Sequence, residues 1–175
     1  MSETVVGVGE RAPQFSAPLV RPEGETTEVG LDGLLADGPV LLAFYTNDFS
    51  PDCIREWCSF RDYDWFASEG RVQVVGVSRS RESTHRRFID RLGLGFPLFA
   101  DRDLAISEAY GVRYRAFKIA ARSRRSLFLI DDEGVVRYRW LAEHPLDPSR
   151  ETPPLDEVRE QIDEVLGEKR ETFGF

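Results

Sequence analysis

Three apolar runs set the frame of the chain: Val40-Leu41-Leu42-Ala43-Phe44-Tyr45, Val72-Gln73-Val74-Val75-Gly76-Val77 and Ser126-Leu127-Phe128-Leu129-Ile130. Runs of this length that do not alternate with polar residues suit strands buried on both faces. After the first run, Cys53, Trp57 and Phe60 recur at i, i+4 and i+7, which predicts a helix from Cys53 to about Ala67. After the second, Ser83–Leu92 reads as a helix with Phe88, Ile89 and Leu92 inward, closed by Gly93. Phe96–Ala100 follows as a short strand, and Asp103–Tyr110 as a helix stopped by Gly111. Beyond the third run, Gly134 turns the chain into Val136, Tyr138 and Trp140, alternating as a half-exposed edge strand does. Leu155–Leu166 is an amphipathic helix with Val158, Ile162, Val165 and Leu166 on its apolar side, and the residues from Gly167 read as a loose tail. Val5–Asp37, punctuated by Pro and Gly, reads as an irregular entry with room for a hairpin.

Strand, helix, strand, helix, then a hairpin and a last helix is the order of a thioredoxin-like α/β fold. The expected architecture is a central mixed β-sheet flanked by helices, with an N-terminal extension. One domain is expected over residues 1–175, its core at about 8–144, a linker at 145–154 and a C-terminal helix and tail at 155–175. The first long helix starts directly after the first buried strand, at the end of the sheet where α/β proteins place their chemistry.

Composition narrows the class. A chain of 175 residues buries roughly 70% of its unfolded surface, so it needs neither metal nor disulfides to fold. Two cysteines do not make a disulfide-stapled scaffold. No apolar run approaches the ~18 residues of a membrane span, and Met1-Ser2-Glu3-Thr4 opens no secretory signal, so a cytoplasmic protein is expected. A net charge of −8 argues against nucleic acid or an anionic membrane as the main partner.

The candidate chemistry lies in Phe44-Tyr45-Thr46-Asn47-Asp48-Phe49-Ser50-Pro51-Asp52-Cys53-Ile54-Arg55-Glu56-Trp57-Cys58. Cys53 falls in the first turn of the predicted helix, where unpaired N–H groups and the positive dipole end favour a thiolate. A buried cysteine that merely packs is the other reading of the same position. Ser50 stands three residues before it, and Pro51 suits a helix start because it has no N–H to leave unpaired. Cys58 is five residues further on, about 7.5 Å of rise and on a different helix face, which sets the two Cα atoms about 8.7 Å apart. A disulfide needs about 7 Å or less, so pairing the two cysteines requires the first turns to unwind.

This segment resembles the peroxiredoxins, thiol peroxidases whose signature is a Pro-x-x-x-Thr/Ser-x-x-Cys loop after the first core strand; here Thr46, Ser50 and Cys53 take those positions. The resemblance continues through Gly76-Val77-Ser78, Phe96–Asp101, Ala109–Val112 and Arg125–Asp131, and so covers roughly Val8 to Trp140. It implies that Cys53 is the peroxidatic cysteine, Ser50 the active-site hydroxyl, Arg125 the arginine facing the sulfur and Glu56 the acid that orients it. Thr46 departs from the pattern, since the family usually has proline there to shape and dry the pocket. The Cys-x-x-x-x-Cys spacing is similar to the bacterioferritin-comigratory or Q-type subclass, which implies that Cys58 resolves a Cys53 sulfenic acid as an intramolecular disulfide. The partners implied are a hydroperoxide and a thioredoxin-like reductant, with no cofactor. A one-cysteine enzyme with external resolution, and a non-catalytic thioredoxin-fold binding protein, are the alternatives; monomer and homodimer are both open.

Other chemistries fit less well. A disulfide oxidoreductase calls for Cys-x-x-Cys at the helix start. Zinc takes about four ligands, and Cys53, Cys58, His85 and His144 are widely spread. His85 is expected as an exposed helix residue. Arg113, Arg115, Lys118, Arg122, Arg124 and Arg125 crowd one segment, read as a solvated loop with Arg125 inward or as an electropositive rim for anionic partners.

Overall fold

The computed structural model describes residues 4–63, 72–116, 120–142 and 153–173. Seven strands form one sheet: β1 (Ser16–Val20), β2 (Thr26–Gly30), β3 (Val40–Phe44), β4 (Gln73–Ser78), β5 (Leu98–Ala100), β8 (Ser126–Ile130) and β9 (Val136–Leu141), in the order β2-β1-β5-β4-β3-β8-β9. β3, β4 and β5 run parallel, while β1 and β8 flank them antiparallel, so the sheet is mixed as expected. Five helices are described: α1 (Leu31–Leu35), α2 (Pro51–Asp62), α3 (Glu82–Leu92), α4 (Ala105–Ala109) and α5 (Leu155–Phe173). None is long and apolar enough, among the described residues, to cross a membrane.

The period of two along each central strand divides the core into two layers. Leu42 and Phe44 of β3, Val75 and Val77 of β4, and Phe128 and Ile130 of β8 face one side, covered by α1, α4 and Tyr110. Leu41, Ala43, Leu127 and Leu129 face the other, where Trp57 and Phe60 of α2, Phe88 of α3, and Val158 and Ile162 of α5 close over them. Gly76 is required at the middle of β4. A Cβ there would lie 2.5 Å from both the Trp57 ring and Leu98, so only glycine lets α2 pack this close to the sheet.

Most expected elements are present, with shifted bounds. The entry segment is more regular than expected, holding the β1–β2 hairpin and α1. α2 starts at Pro51 rather than Cys53 and ends at Asp62, short of the expected Ala67, with Tyr63 after it extended; residues 64–71 lie outside those described. α3 ends on Gly93 at φ 63°, the left-handed stop that its glycine suggested. α5 continues to Phe173, where a loose tail was expected after Leu166. Most of the proposed 145–154 linker, His144 and Lys118 lie outside the described residues. The arginine-rich segment is not a loop: β6 (Arg113–Ala116) and β7 (Ala120–Ser123) pair antiparallel as a separate hairpin, from Arg113 opposite Ser123 to Ala116 opposite Ala120.

Candidate active site

Two strands bring the candidate groups together. In β3 and β8, Phe44 pairs with Ser126, so the residues just beyond that pair, Tyr45 and Arg125, leave the sheet at the same end. The Arg125 carbonyl accepts from Ala142 N at 3.0 Å, which fixes its backbone against the end of β9. β3 then gives way to the loop 45–50 and α2, whose first turn carries Cys53. Residues 72 positions apart in sequence thus meet at one edge of the sheet.

Cys53 is wholly buried, and its sulfur has two polar neighbours. Arg125 Nη2 donates to it at 3.0 Å. Thr46 Oγ1 lies 3.6 Å away, within hydrogen-bonding reach of a sulfur. The same guanidinium is ion-paired through Nη1 to Glu56 Oε2, both side chains being completely shielded from solvent. Burial works against the charge of Arg125, but Glu56 and Cys53 outweigh it and hold the guanidinium protonated beyond its ordinary range. For Glu56, burial dominates over the attraction of Arg125 and pushes its carboxyl up to about 7. Its Oε1 has no hydrogen-bond partner among the described residues, which is why one ion pair does not offset its desolvation.

The loop itself is held by a second buried cluster. Tyr45 Oη donates to Asp48 Oδ1 at 2.6 Å, and His85 Nδ1 meets Asp48 Oδ2 at 2.6 Å. His85 Nε2 is 3.0 Å from the Phe99 carbonyl, which can only accept, so Nε2 carries a proton. Asp48 N donates to Ser80 Oγ at 2.9 Å. Burial, with the Asp48 charge second, raises the Tyr45 hydroxyl well above its ordinary value and keeps it a donor. Phe49, next in the chain, has φ 65°, a left-handed conformation that costs a bulky residue about 1–2 kcal/mol. Its ring packs edge-on against Phe88 at 5.2 Å, and Asp48 anchors the residue before it. Arg79 adds a brace, donating from Nε to Asn47 Oδ1 at 3.0 Å and from Nη1 to the Ala121 carbonyl at 3.1 Å.

Of the residues singled out in the sequence, Cys53, Arg125, Glu56 and Thr46 converge. Ser50 is the N-cap of α2, and its Oγ donates to the Asn47 carbonyl at 3.4 Å. Cys58 is a free thiol, half-buried on α2, and Arg61 is close enough for their charges to interact. The expectation for His85 is corrected, since it is fully buried. The signal was there: His85, Phe88, Ile89 and Leu92 share the i, i+3, i+4, i+7 spacing of one helix face. In and next to the β6–β7 hairpin, Arg124 donates to the Ala142 carbonyl, Arg113 pairs with Glu108, and Arg125 reaches the sulfur. No group of three or more metal-ligating side chains stands together among the described residues.

This arrangement can put negative charge on a buried sulfur, balance it with a fixed cation and present several donors to an oxygen arriving at the sulfur. Residues 8–139 match the AhpC/TSA family. The chain is 36% identical over 138 residues to a Coxiella burnetii protein named peroxiredoxin bcp, covering 77% of this chain and 88% of that one. It is 30% identical over 141 residues to peroxiredoxin Bcp of Bacillus subtilis, covering 77% and 85%. The crystal structure of the peroxidoxin BcpB from Mycobacterium tuberculosis superposes with a TM-score of 0.74 at 26% identity, over 90% of this chain and 97% of that one. A match to the family over most of the chain, together with relatives named for this chemistry, shows that the chain belongs to the AhpC/TSA family as a peroxiredoxin of the Bcp type, a thiol peroxidase.

Proposed function

We propose that Cys53 is the peroxidatic cysteine and that Cys58 resolves its sulfenic acid within the same chain. The observation that carries this reading is the 3.0 Å contact of Arg125 Nη2 with the Cys53 sulfur, in a pocket where Glu56 holds the other arm of the guanidinium. The thiolate attacks the hydroxyl-bearing oxygen of a hydroperoxide. An S–O bond forms, the O–O bond breaks, and the leaving alkoxide or hydroxide takes a proton to depart as alcohol or water. Arg125 stabilises charge on the sulfur beforehand and on the oxygens as it moves across, while Glu56 sets the plane of the guanidinium. The Cys58 sulfur then displaces water from the sulfenic acid, which forms a disulfide. A dithiol of the thioredoxin kind reduces that disulfide by exchange and is itself oxidised.

Two features support resolution by Cys58. It is the second cysteine of a two-cysteine chain, and its partial exposure leaves it accessible as the helix opens. The strained Phe49 stands just before α2, and the N-cap Ser50 makes no side-chain cap bond, which favours opening of the first turns. A cytoplasmic setting accords with this thiol cycle.

Intact mass after one equivalent of hydrogen peroxide tests the scheme. The wild type is expected to lose two hydrogens and Cys58→Ser to gain one oxygen on Cys53. An added oxygen in both proteins demotes Cys58 to packing and leaves a one-cysteine enzyme. No mass change in either removes Cys53 from the reaction.

A further inference from the structure

We infer that Thr46 is a catalytic residue, supplying the hydroxyl that works on the Cys53 sulfur and on the oxygen it takes. The inference rests on Cys53 being the attacking thiol. Thr46 occupies the position where the resembled family usually has proline, a ring with no hydrogen-bonding side chain. Here the side chain is buried, and Oγ1 lies 3.6 Å from the Cys53 sulfur. Ser50, the hydroxyl that the sequence pattern nominates, is only partly buried and is turned to the Asn47 carbonyl. Between Thr46 and Ser50, the tertiary structure brings Thr46 within hydrogen-bonding reach of the sulfur.

The chemistry separates Thr46 from Arg125. A guanidinium has only donors, whereas a hydroxyl has one donor and two acceptor lone pairs. A thiolate only accepts, so in the attacking form Thr46 donates to the sulfur alongside Arg125 Nη2. The incoming hydroperoxide carries an O–H on the oxygen under attack, and within this buried pocket that proton needs an acceptor. A Thr46 lone pair accepts it and holds the oxygen in line with the sulfur. As the S–O bond forms, sulfur gives up its charge, and the transferred oxygen keeps its proton, still donated to the Thr46 lone pair. The products are the Cys53 sulfenic acid and the alkoxide or hydroxide, and Thr46 ends unchanged.

The backbone makes this placement firm. Tyr45 N donates to Val77 O at 3.0 Å, which extends the β3–β4 ladder to the residue before Thr46. Two residues on, Asp48 is held by Tyr45, His85 and Ser80. Thr46 therefore sits between two fixed points, and a β-branched side chain has few χ1 choices to leave its place.

The test uses a Cys58→Ser background, so that one oxidation of Cys53 is followed without resolution. Two rates are measured: oxidation by hydrogen peroxide and alkylation by iodoacetamide, which needs the thiolate but brings no O–H. Thr46→Val is expected to slow oxidation about 10- to 100-fold. Alkylation is expected to change less than about threefold, because the long Thr46–sulfur contact bears on both rates whereas the contact to the O–H bears on oxidation alone. Thr46→Ser should restore oxidation to within about threefold, and Ser50→Ala should lose less than Thr46→Val. Thr46→Ala gives the same reading should the valine variant fold poorly. Oxidation unchanged in Thr46→Val overturns the inference, as does a parallel loss of both rates, which would reduce Thr46 to shaping the pocket. A larger loss in Ser50→Ala returns the role to Ser50. Absence of oxidation with Thr46 intact removes the peroxidase assignment of Cys53 instead, a separate failure.

Discussion

Two buried polar clusters lie on either side of the loop 45–50, and they are built to opposite rules. Around Asp48 each polar group meets a counterpart: Tyr45 on one oxygen, His85 on the other, the Phe99 carbonyl behind the histidine and Ser80 on the amide. Around Cys53 the pairing is incomplete, with Glu56 Oε1 unpartnered among the described residues and a sulfur that can take further donors. A closed network deep in the protein is rigid and costly to break. An open one keeps capacity for an incoming oxygen, at the cost of leaving a carboxylate poorly compensated. The contrast teaches that the brace and the reactive pocket are separate devices joined by a strained loop.

Removing the cation should break the reactive side most. Arg125→Met is expected to lower kcat/KM for hydrogen peroxide about 100- to 1,000-fold, read from the second-order rate of Cys53 oxidation. A loss under tenfold would mean that charge on the sulfur is balanced from elsewhere.

Removing Asp48 should break the brace instead. Asp48→Ala leaves His85 and Tyr45 buried without their partner, and a loss of about 3 kcal/mol is expected, or roughly 9 °C in Tm. Thermal unfolding measures it. If peroxide reactivity at 20 °C fell as far as in Arg125→Met, the two clusters would not be separable.

Glu56 sharpens the comparison through pH. Its carboxyl is raised from 4.5 to about 7 by burial, so between those values the folded chain binds a proton that the unfolded chain has released. The stability from this group is therefore fully present below pH 4.5 and is lost as pH rises through about 7. The loss amounts to up to about 3 kcal/mol. Glu56→Gln should flatten that part of the profile, measured by urea unfolding at several pH values across this window. The smallest effect is expected for Ser80→Ala, which removes a single acceptor from the Asp48 amide, about 1 kcal/mol or roughly 3 °C.

Much of this was legible along the chain, because local rules govern it. Unbroken apolar runs mark strands buried on both faces, and β3, β4 and β8 are where those runs lie. Gly93 marks the end of α3 because only a left-handed residue closes it there. The spacing of Thr46, Ser50 and Cys53 carried the family, since a helix start after a buried strand is a local arrangement. What the tertiary structure alone decided is which side chains meet. Arg125 reaches Cys53 because of the register of β8 on β3, a long-range pairing that no short window contains. His85 is inside because α3 packs that face on the loop, although the residue type by itself suits the surface. Two hydroxyls stand in the seven residues before Cys53, and the sequence pattern favours Ser50. A positive φ at Phe49 and the anchor at Asp48 turn Ser50 toward Asn47 and leave Thr46 at the sulfur, because the direction of a side chain follows the path of the folded backbone and not its distance along the chain.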